Sequence, residues 1–195
     1  MIHISIEGMD GVGKTSTSKL VAEKLGFTFV EKPLHYIVDE GDDTTNYRKI
    51  AKAVNSDSDR NFTAWYYGLN NLYVYDRFKG QSIVTDRHVV SNYAWSGAEY
   101  NDDIYDLILK KIGAPTLTVI LYSDAESIVK RLKKRDPNDK DIERAVESER
   151  IYARMIDFCQ KKKMPYVIVD SSRLSLEETA DEIIKRYKEL EADGE

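Results

Sequence analysis

Five short apolar runs alternate along the chain with segments whose apolar residues recur at helical spacing. The runs are typical of strands and occupy residues 2–6, 27–30, 82–85, 117–122 and 166–169. The helical segments occupy residues 16–25, 47–54, 57–78, 91–97, 102–112, 125–134, 142–161 and 176–190. Strands that alternate with helices predict an α/β fold whose parallel sheet is covered by helices. We expect the run 117–122 to be the central strand. Residues 34–43 are expected to form a loop, and the next helix opens near residues 41–43.

A glycine-rich loop, GMDGVGKT at residues 8–15, follows the first predicted strand. Its G-x-x-x-x-G-K-T spacing, with a strand before it and a helix after it, predicts a Walker A loop. Glycines allow positive φ, so successive N–H groups can face phosphate oxygens, and the following helix adds its positive end. In this interpretation an exposed Lys14 neutralises phosphates and the Thr15 hydroxyl holds Mg²⁺. The residues expected to bind the nucleotide are Gly8, Gly11, Val12, Gly13, Lys14, Thr15 and Ser16.

Length and charge narrow the classes of function. The 195 residues predict a single domain, 1–195, and the net charge of −5 argues against nucleic-acid binding as the main function. No run approaches the length of a membrane span. The single cysteine, Cys159, is expected to be a buried thiol, and one cysteine favours a reducing, cytoplasmic setting.

Charged residues follow two of the other predicted strands. Glu31 closes the second run, and Asp86 and Arg87 close the third. Ligands bind at the carboxyl edge of open α/β sheets, so these side chains are candidates for the substrate site. Arg48 lies on the predicted helix 47–54. The aromatic residues of the next helix, Phe62 among them, are expected to be mostly core, with one or two free to stack on a planar ligand.

A basic segment, RLKKR at residues 131–135, precedes a break at Pro137. One interpretation is a solvated helix end favoured by the helix dipole. The other is a mobile basic lid over residues 133–141 that neutralises phosphates and excludes water during phosphoryl transfer. Arg131 and Arg135 are four residues apart and share a helix face.

Three motifs resemble those of the thymidylate kinase family. Residues 8–15 resemble its P-loop, including the acidic residue inside the loop. Residues 86–97, DRHVVSNYAWSG, resemble its D-R-Y-x-x-S-x-x-A-Y-Q-G motif, the most specific of the three. The run from Arg131 and Arg135 through Asp139 or Asp141 to Glu143 resembles its lid. The resemblance spans essentially the whole chain and implies a P-loop NTPase fold with a five-stranded parallel sheet surrounded by helices, and a short basic lid.

The resemblance also implies roles for individual residues. ATP and Mg²⁺ are the implied cofactors, a nucleoside monophosphate is the implied acceptor, and we expect a homodimer. Because Gly11 stands where some members carry an arginine, the lid arginines are expected to supply that charge. Catalysis is assigned to Asp10, Lys14, Arg87 and Arg135, ATP contact to Arg131, and Mg²⁺ to Thr15 and Asp86. Acceptor binding is assigned to Asp10, Glu31, Arg48, Phe62, Arg87, Ser91 and Trp95.

The chain departs from the family pattern in ways that leave the acceptor base open. Trp95 and Ser96 stand where the family has tyrosine and glutamine, and the family's base-reading arginine has no clear match. The nearest alternative is a deoxynucleoside kinase on the same fold, with Glu31 as the base on a sugar hydroxyl. A further alternative is a P-loop ATPase or a GTP-binding switch protein. The GTP-binding protein is disfavoured because no N/T-K-x-D guanine motif follows a suitable strand. A non-enzymatic binding module is disfavoured because the phosphate-handling residues are intact, namely Lys14, Thr15, Asp86 and Arg87.

Overall fold

A computed structural model describes residues 1–41 and 43–193 of the chain. Five strands form one parallel sheet in the order β2-β3-β1-β4-β5. The strands are β1 (His3–Glu7), β2 (Thr28–Glu31), β3 (Ile83–Asp86), β4 (Leu117–Tyr122) and β5 (Tyr166–Asp170). The α/β class and the five-stranded parallel sheet predicted from the sequence are confirmed.

Helices connect the strands. They are α1 (Lys14–Leu25), α2 (His35–Val38), α3 (Thr45–Asn55), α4 (Arg60–Arg77), α5 (Val89–Ser96), α6 (Asp102–Ile112), α7 (Ala125–Arg135), α8 (Ser148–Lys161) and α9 (Leu176–Asp193). Two stretches are 3-10 helices, Glu99–Asn101 and Lys140–Glu147, and the second is called the 3-10 segment below. Helix α1 packs on α9, while α5 packs on both α4 and α8.

The inner strands are buried because helices cover the sheet. Ile4 and Ile6 of β1 and Val119 to Leu121 of β4 are fully buried. Near-continuous apolar runs are what a parallel sheet covered on both faces requires. Because β2, β3 and β1 are parallel neighbours, their carboxyl ends lie side by side at one edge of the sheet. Glu31 is in register with Asp86, and Asp86 is in register with Ile6.

Three expectations from the sequence are wrong in detail. Residues 34–43 are not all loop, because His35–Val38 forms α2, and Asp42 lies outside the described residues. Strand β4 is an interior strand between β1 and β5, but the middle strand of the five is β1. The predicted helix 142–161 is divided at Ser148 into the 3-10 segment and α8. Ala145 and Ser148 are buried three residues apart, the spacing that aligns side chains on a 3-10 helix.

Candidate active site

The P-loop connects the buried end of β1 to the first turn of α1. Gly8 has φ +148°, and a Cβ there would lie 2.6 Å from the carbonyl oxygen of Leu121. Gly11 has φ +84°, and its missing Cβ leaves room for Leu132 of α7. The glycines therefore allow both the turn and the close approach of neighbouring elements. The loop ends at Gly13, and α1 begins at Lys14, so the positive end of the helix dipole faces the loop.

Lys14 is buried, which corrects the expectation of an exposed loop lysine. Its Nζ donates to the Met9 carbonyl oxygen at 2.6 Å and lies 3.9 Å from the Asp10 carboxylate. Burial, together with the nearby charge of Arg87, lowers the pKa of Lys14 to about 8. A polyphosphate placed in the loop would restore the preference for the charged form.

Thr15 and Asp86 come together where α1 begins and β3 ends. The Thr15 hydroxyl donates to Oδ2 of Asp86. The other carboxylate oxygen, Oδ1, is buried and has no hydrogen-bond partner among the described residues. A hydroxyl and an unsatisfied carboxylate oxygen fit Mg²⁺, which is commonly held by one or two protein oxygens and the substrate phosphates. No cluster of three or more acidic, histidine or cysteine side chains suited to a metal ion occurs within residues 1–41 and 43–193.

Arg87 crosses the site and contacts both the P-loop and α5. Its Nη2 donates to Oδ1 of Asp10 at 2.7 Å and its Nη1 donates to the Ser91 hydroxyl at 3.1 Å. Burial opposes ionisation of Asp10, but the charges of Arg87 and Lys14 hold the pKa of Asp10 well below its usual range. Arg87 has φ +72°, which is unusual for a residue other than glycine, and such backbone conformations cluster at functional sites.

Glu7 fixes the base of this arrangement and was missed by the sequence analysis. Its Oε2 accepts hydrogen bonds from the hydroxyl and N–H of Ser91, at 2.5 and 3.1 Å, and from the N–H of His88 at 3.2 Å. The side chain is fully buried, and burial raises its pKa. An acidic residue at the end of the first strand, directly before the P-loop, was the available signal. Glu7 holds Ser91, and Ser91 in turn accepts from Arg87.

A cavity of about 320 Å³ opens beside Arg87 and Asp10. Ser91 and Trp95 of α5, two residues expected from the sequence to bind the acceptor, line this cavity, which we call the acceptor cavity. Additional lining comes from Tyr47 on α3, from Arg144 and Glu147 on the 3-10 segment, and from one face of α4. That face carries Arg60, Tyr67, Asn70, Asn71 and Val74. Their helical spacing was visible in the sequence, but it did not indicate which face would meet the sheet edge.

Three predicted acceptor residues lie outside this cavity, namely Arg48, Phe62 and Glu31, and Glu31 lines a second cleft instead. Phe62 is 48% exposed and projects away from the cavity-lining face of α4, because it is rotated by about 200° from Arg60 and about 140° from Tyr67 around the helix axis. Arg48 is exposed on α3, where its Nε donates to the hydroxyl of Thr44 at 3.0 Å. The structure therefore does not bring Phe62 and Arg48 together with the other predicted residues.

A second cleft lies on the other side of Arg87 and contains the P-loop. Lys14, Thr15 and Ser16 line it together with Glu31, Arg131 and Arg135, and we call it the P-loop cleft. Arg131 donates to the Val12 carbonyl oxygen at 3.1 Å and to the Ser171 carbonyl oxygen at 2.5 Å. It thereby joins the P-loop to the end of β5. Glu31 is paired with Lys32 at 2.6 Å.

The predicted lid spans the last turn of α7, a short connection and the start of the 3-10 segment. Arg135 is paired there with Asp139. The 3-10 segment brings Arg144 over the ring of Trp95, with 5.9 Å between the guanidinium carbon and the ring centroid. The lid thus contributes Arg135 to the P-loop cleft, and the 3-10 segment that follows contributes Arg144 to the acceptor cavity.

Comparisons with known proteins agree with this geometry. A family model described as thymidylate kinase matches residues 6–183. A probable thymidylate kinase of Methanocaldococcus jannaschii is 25% identical and covers 97% of each chain. A probable thymidylate kinase of Methanococcus maripaludis is 28% identical over 93% of this chain and 92% of its own.

A solved structure supports the fold independently. Deoxyadenosine kinase from M. mycoides, described with products dCMP and dCDP bound, superposes with a TM-score of 0.65 at 14% identity, covering 96% of this chain and all of the other. Among the described residues, no helix is long and apolar enough to cross a membrane. With the family model covering most of the sequence, the chain belongs to the thymidylate kinase family.

Proposed function

We propose that the protein transfers the γ-phosphoryl group of ATP to a nucleoside monophosphate, dTMP, and releases dTDP and ADP. The observation that carries this proposal is the position of Arg87. Its guanidinium lies between the P-loop cleft and the acceptor cavity, and it is oriented by Asp10 and Ser91. An arginine at that junction offers two parallel donors to the acceptor phosphate.

The P-loop cleft is the proposed site for ATP. Backbone N–H groups of Gly8, Gly11, Val12 and Gly13 would surround the phosphates, together with Ser16, and Lys14 would neutralise the transferring group. Arg131 is already fixed against the P-loop and β5, so its proposed role is to form the wall on the adenine side. Arg135 is exposed and would supply positive charge when the lid closes.

Thr15 and Asp86 would hold Mg²⁺, since Asp86 offers a buried oxygen without a partner among the described residues. The ion, when bound, neutralises charge on the ATP phosphates. Lys14 and Arg87 would spread the remaining charge over the transferring and acceptor phosphates. Asp10, kept ionised by those two cations, would hold Arg87 in place and approach the acceptor sugar.

Ser91 and Trp95 would border the acceptor base, as proposed from the sequence. Arg48 and Phe62 lose their proposed contact with the acceptor because they lie outside the acceptor cavity. Arg60 and Tyr67 take their place in the proposal, since both line the cavity from α4.

The alternative acceptor is an unphosphorylated deoxynucleoside, with Glu31 as general base. The structural similarity to deoxyadenosine kinase keeps this candidate open. Glu31, however, lines the P-loop cleft and is paired with Lys32, whereas Arg87 faces the acceptor cavity. This arrangement favours a phosphorylated acceptor.

A coupled assay for ADP release across the common nucleosides and nucleoside monophosphates tests the proposal. We expect turnover with dTMP and little with thymidine. Efficient phosphorylation of nucleosides, abolished by Glu31→Gln, would transfer the assignment to a deoxynucleoside kinase.

We further propose a homodimer in a reducing, cytoplasmic setting, with a small-molecule acceptor and no nucleic-acid partner. The homodimer is supported by exposed apolar side chains on the outer face of α4, namely Phe62, Trp65 and Leu69. Cys159 is buried, and burial raises its pKa to about 12, which suits an unreactive thiol.

A further inference from the structure

Asp141 lies between two arginines that face different substrate sites. Its Oδ2 is 3.5 Å from Nη2 of Arg135, and its Oδ1 is 3.5 Å from Nη1 of Arg144. Arg135 lines the P-loop cleft, and Arg144 lines the acceptor cavity. One carboxylate therefore connects a positive charge from each site.

The three side chains differ in their freedom to move. Arg135 and Arg144 are 60% and 57% exposed, whereas Asp141 is 26% exposed. The N–H of Asp141 also donates to the Asp139 carboxylate at 3.0 Å, which fixes its backbone. The Asp141 carboxylate is thus the anchored member. Arg144 is held by Asp141, whereas Arg135 is bound by Asp139 as well as Asp141, so a ligand must draw Arg135 away from both acids.

The acceptor side of this bridge ends on an aromatic ring. Arg144 stands over Trp95, and Trp95 lines the acceptor cavity from α5. A guanidinium held over a ring at this distance is attracted by the ring's negative face. Fixing Arg144 therefore also fixes one wall of the acceptor cavity.

We propose that Asp141 is a positioning residue that makes the two substrates bind cooperatively. Phosphates in the P-loop cleft attract Arg135 away from Asp139 and Asp141, and the Asp141 carboxylate then pairs fully with Arg144 and holds it at the acceptor cavity. By linkage, a bound acceptor strengthens ATP binding by the same factor. The inference rests on the proposed function, because it requires ATP in the P-loop cleft and a nucleotide beside Trp95.

The expected size of the coupling is modest, because exposed ion pairs are weak. We expect the first substrate to tighten binding of the second about two- to fivefold, the range that such pairs provide. The ratio of two dissociation constants isolates this effect. Removing the negative charge of Asp141 also changes the affinity for any anionic ligand. That change is the same with and without the other substrate, so it cancels in the ratio.

The experiment is calorimetric titration of the full chain with dTMP, with and without saturating β,γ-imido-ATP and Mg²⁺. In the native protein the analogue is expected to lower the dissociation constant of dTMP two- to fivefold. Asp141→Asn is expected to bring that ratio close to one, and Asp141→Glu to restore part of it. The matched control is Asp136→Asn, which should retain the native ratio. Asp136 is exposed in the same turn and accepts from the N–H of Asn138.

A native ratio of one, or an undiminished ratio in Asp141→Asn, would overturn the inference while leaving the kinase proposal intact. If the ADP-release assay selects another acceptor, that acceptor replaces dTMP in the titration. Absence of turnover with every acceptor would overturn the proposed function and this inference together.

Discussion

Burial changes both the pKa of Lys14 and the contribution of this residue to the stability of the fold. Its pKa near 8 in the folded chain lies below the value of 10.5 for a free lysine, so the unfolded chain binds more protons between those values. The charged Lys14 therefore lowers the free energy of unfolding at neutral pH, and this cost diminishes as the pH rises. A buried lysine that destabilises the fold fits a role in ligand binding, where its charge is needed, better than a role in stability.

We predict that Lys14→Met lowers kcat by two decades or more, about 2.7 kcal/mol of barrier, while the melting temperature is unchanged or higher. The lost charge removes stabilisation of the transferring phosphate, and methionine fills the same space without a buried charge. Steady-state kinetics measure the loss in kcat, and thermal unfolding measures the melting temperature. Native turnover in a folded variant would contradict the P-loop assignment.

Proton uptake provides a second test of Lys14. At pH 8.5 much of the Lys14 population is neutral in the free protein, and bound phosphates should recharge it. The titration of phosphates, with a second pKa near 6, lies well below this pH. We expect calorimetry in two buffers of different ionisation enthalpy to show proton uptake on binding β,γ-imido-ATP. The uptake should shrink near pH 6.5 and disappear in Lys14→Met. Equal uptake in both proteins would assign the proton to another group.

Substitutions at Arg87 test the proposal that this residue binds the phosphate of the acceptor. We predict that Arg87→Ala raises KM for the acceptor more than tenfold and KM for ATP much less, and that Arg87→Lys restores little, since lysine cannot present two parallel donors. Glu31→Gln should cost less than Arg87→Ala. Arg48→Ala serves as the arginine control, because Arg48 is exposed and outside the acceptor cavity. A larger loss in Arg48→Ala than in Arg87→Ala would contradict the placement of the acceptor.

At the scale of elements, the P-loop and α7 are fitted to each other through Gly11. A Cβ at Gly11 would lie 2.7 Å from Cγ of Leu132, a side chain that is fully buried and cannot move aside. Helix α7 carries Arg131 and Arg135 at the P-loop cleft, so this contact sets how closely those charges approach the phosphates. The missing side chain at Gly11 thus has a packing role that the motif alone did not indicate.

We predict that Gly11→Ala destabilises the protein by about 1–3 kcal/mol, the usual cost of overpacking with backbone strain. For a chain of this length each kcal/mol corresponds to about 2–4 °C in melting temperature. Gly13→Ala is the matched control, because Gly13 also has positive φ but has nothing within 4 Å of its missing Cβ. Thermal unfolding should show the larger loss for Gly11→Ala. Equal losses would mean that strain, rather than the Leu132 contact, dominates.

The elements show where sequence reasoning succeeds and where it fails. Helix α6 and strand β4 were predicted with their observed bounds, since each has clear periodicity and a terminating glycine or polar residue. The meeting of Glu31 and Asp86 at one edge of the sheet was also predicted, because both residues end parallel strands. The contacts of Glu7 and Arg60 were not, since they depend on how α4 and α5 pack on the sheet edge. Periodicity gives a face to a helix but does not say which surface that face meets.

At the scale of the molecule, the proposed reaction requires the lid to open and close. Residues 133–141 are mostly polar and exposed, so their local opening should cost little free energy. We predict that hydrogen exchange of this stretch slows when a bisubstrate analogue binds, because Arg135 gains phosphate contacts. The helix α9, remote from both cavities, is the internal reference. Unchanged exchange in the lid, with binding verified by calorimetry, would contradict the lid assignment.

Helix α4 presents different faces to the acceptor cavity and to solvent. Tyr67 and Asn70 line the cavity, while Phe62, Trp65 and Leu69 project outward at spacings of three and four residues. Leu107 on the adjacent α6 is also exposed, which extends the outer apolar surface. Several exposed apolar side chains on one helix face are typical of interaction sites, and the proposed homodimer would cover them with a second copy of α4.

We predict that sedimentation velocity gives twice the chain mass of 22.4 kDa for the native protein, and a single chain mass for Leu69→Glu. A glutamate at that position would place two like charges across a two-fold axis, where their desolvation is costly. Leu176→Glu is the matched control, since Leu176 is similarly exposed at the start of α9 and should leave the mass unchanged. Because α4 carries the acceptor cavity on its other face, dissociation should also raise KM for the acceptor more than KM for ATP. A native protein of single chain mass at micromolar concentration, or a dimer retained by Leu69→Glu, would rule out the α4 face as the interface.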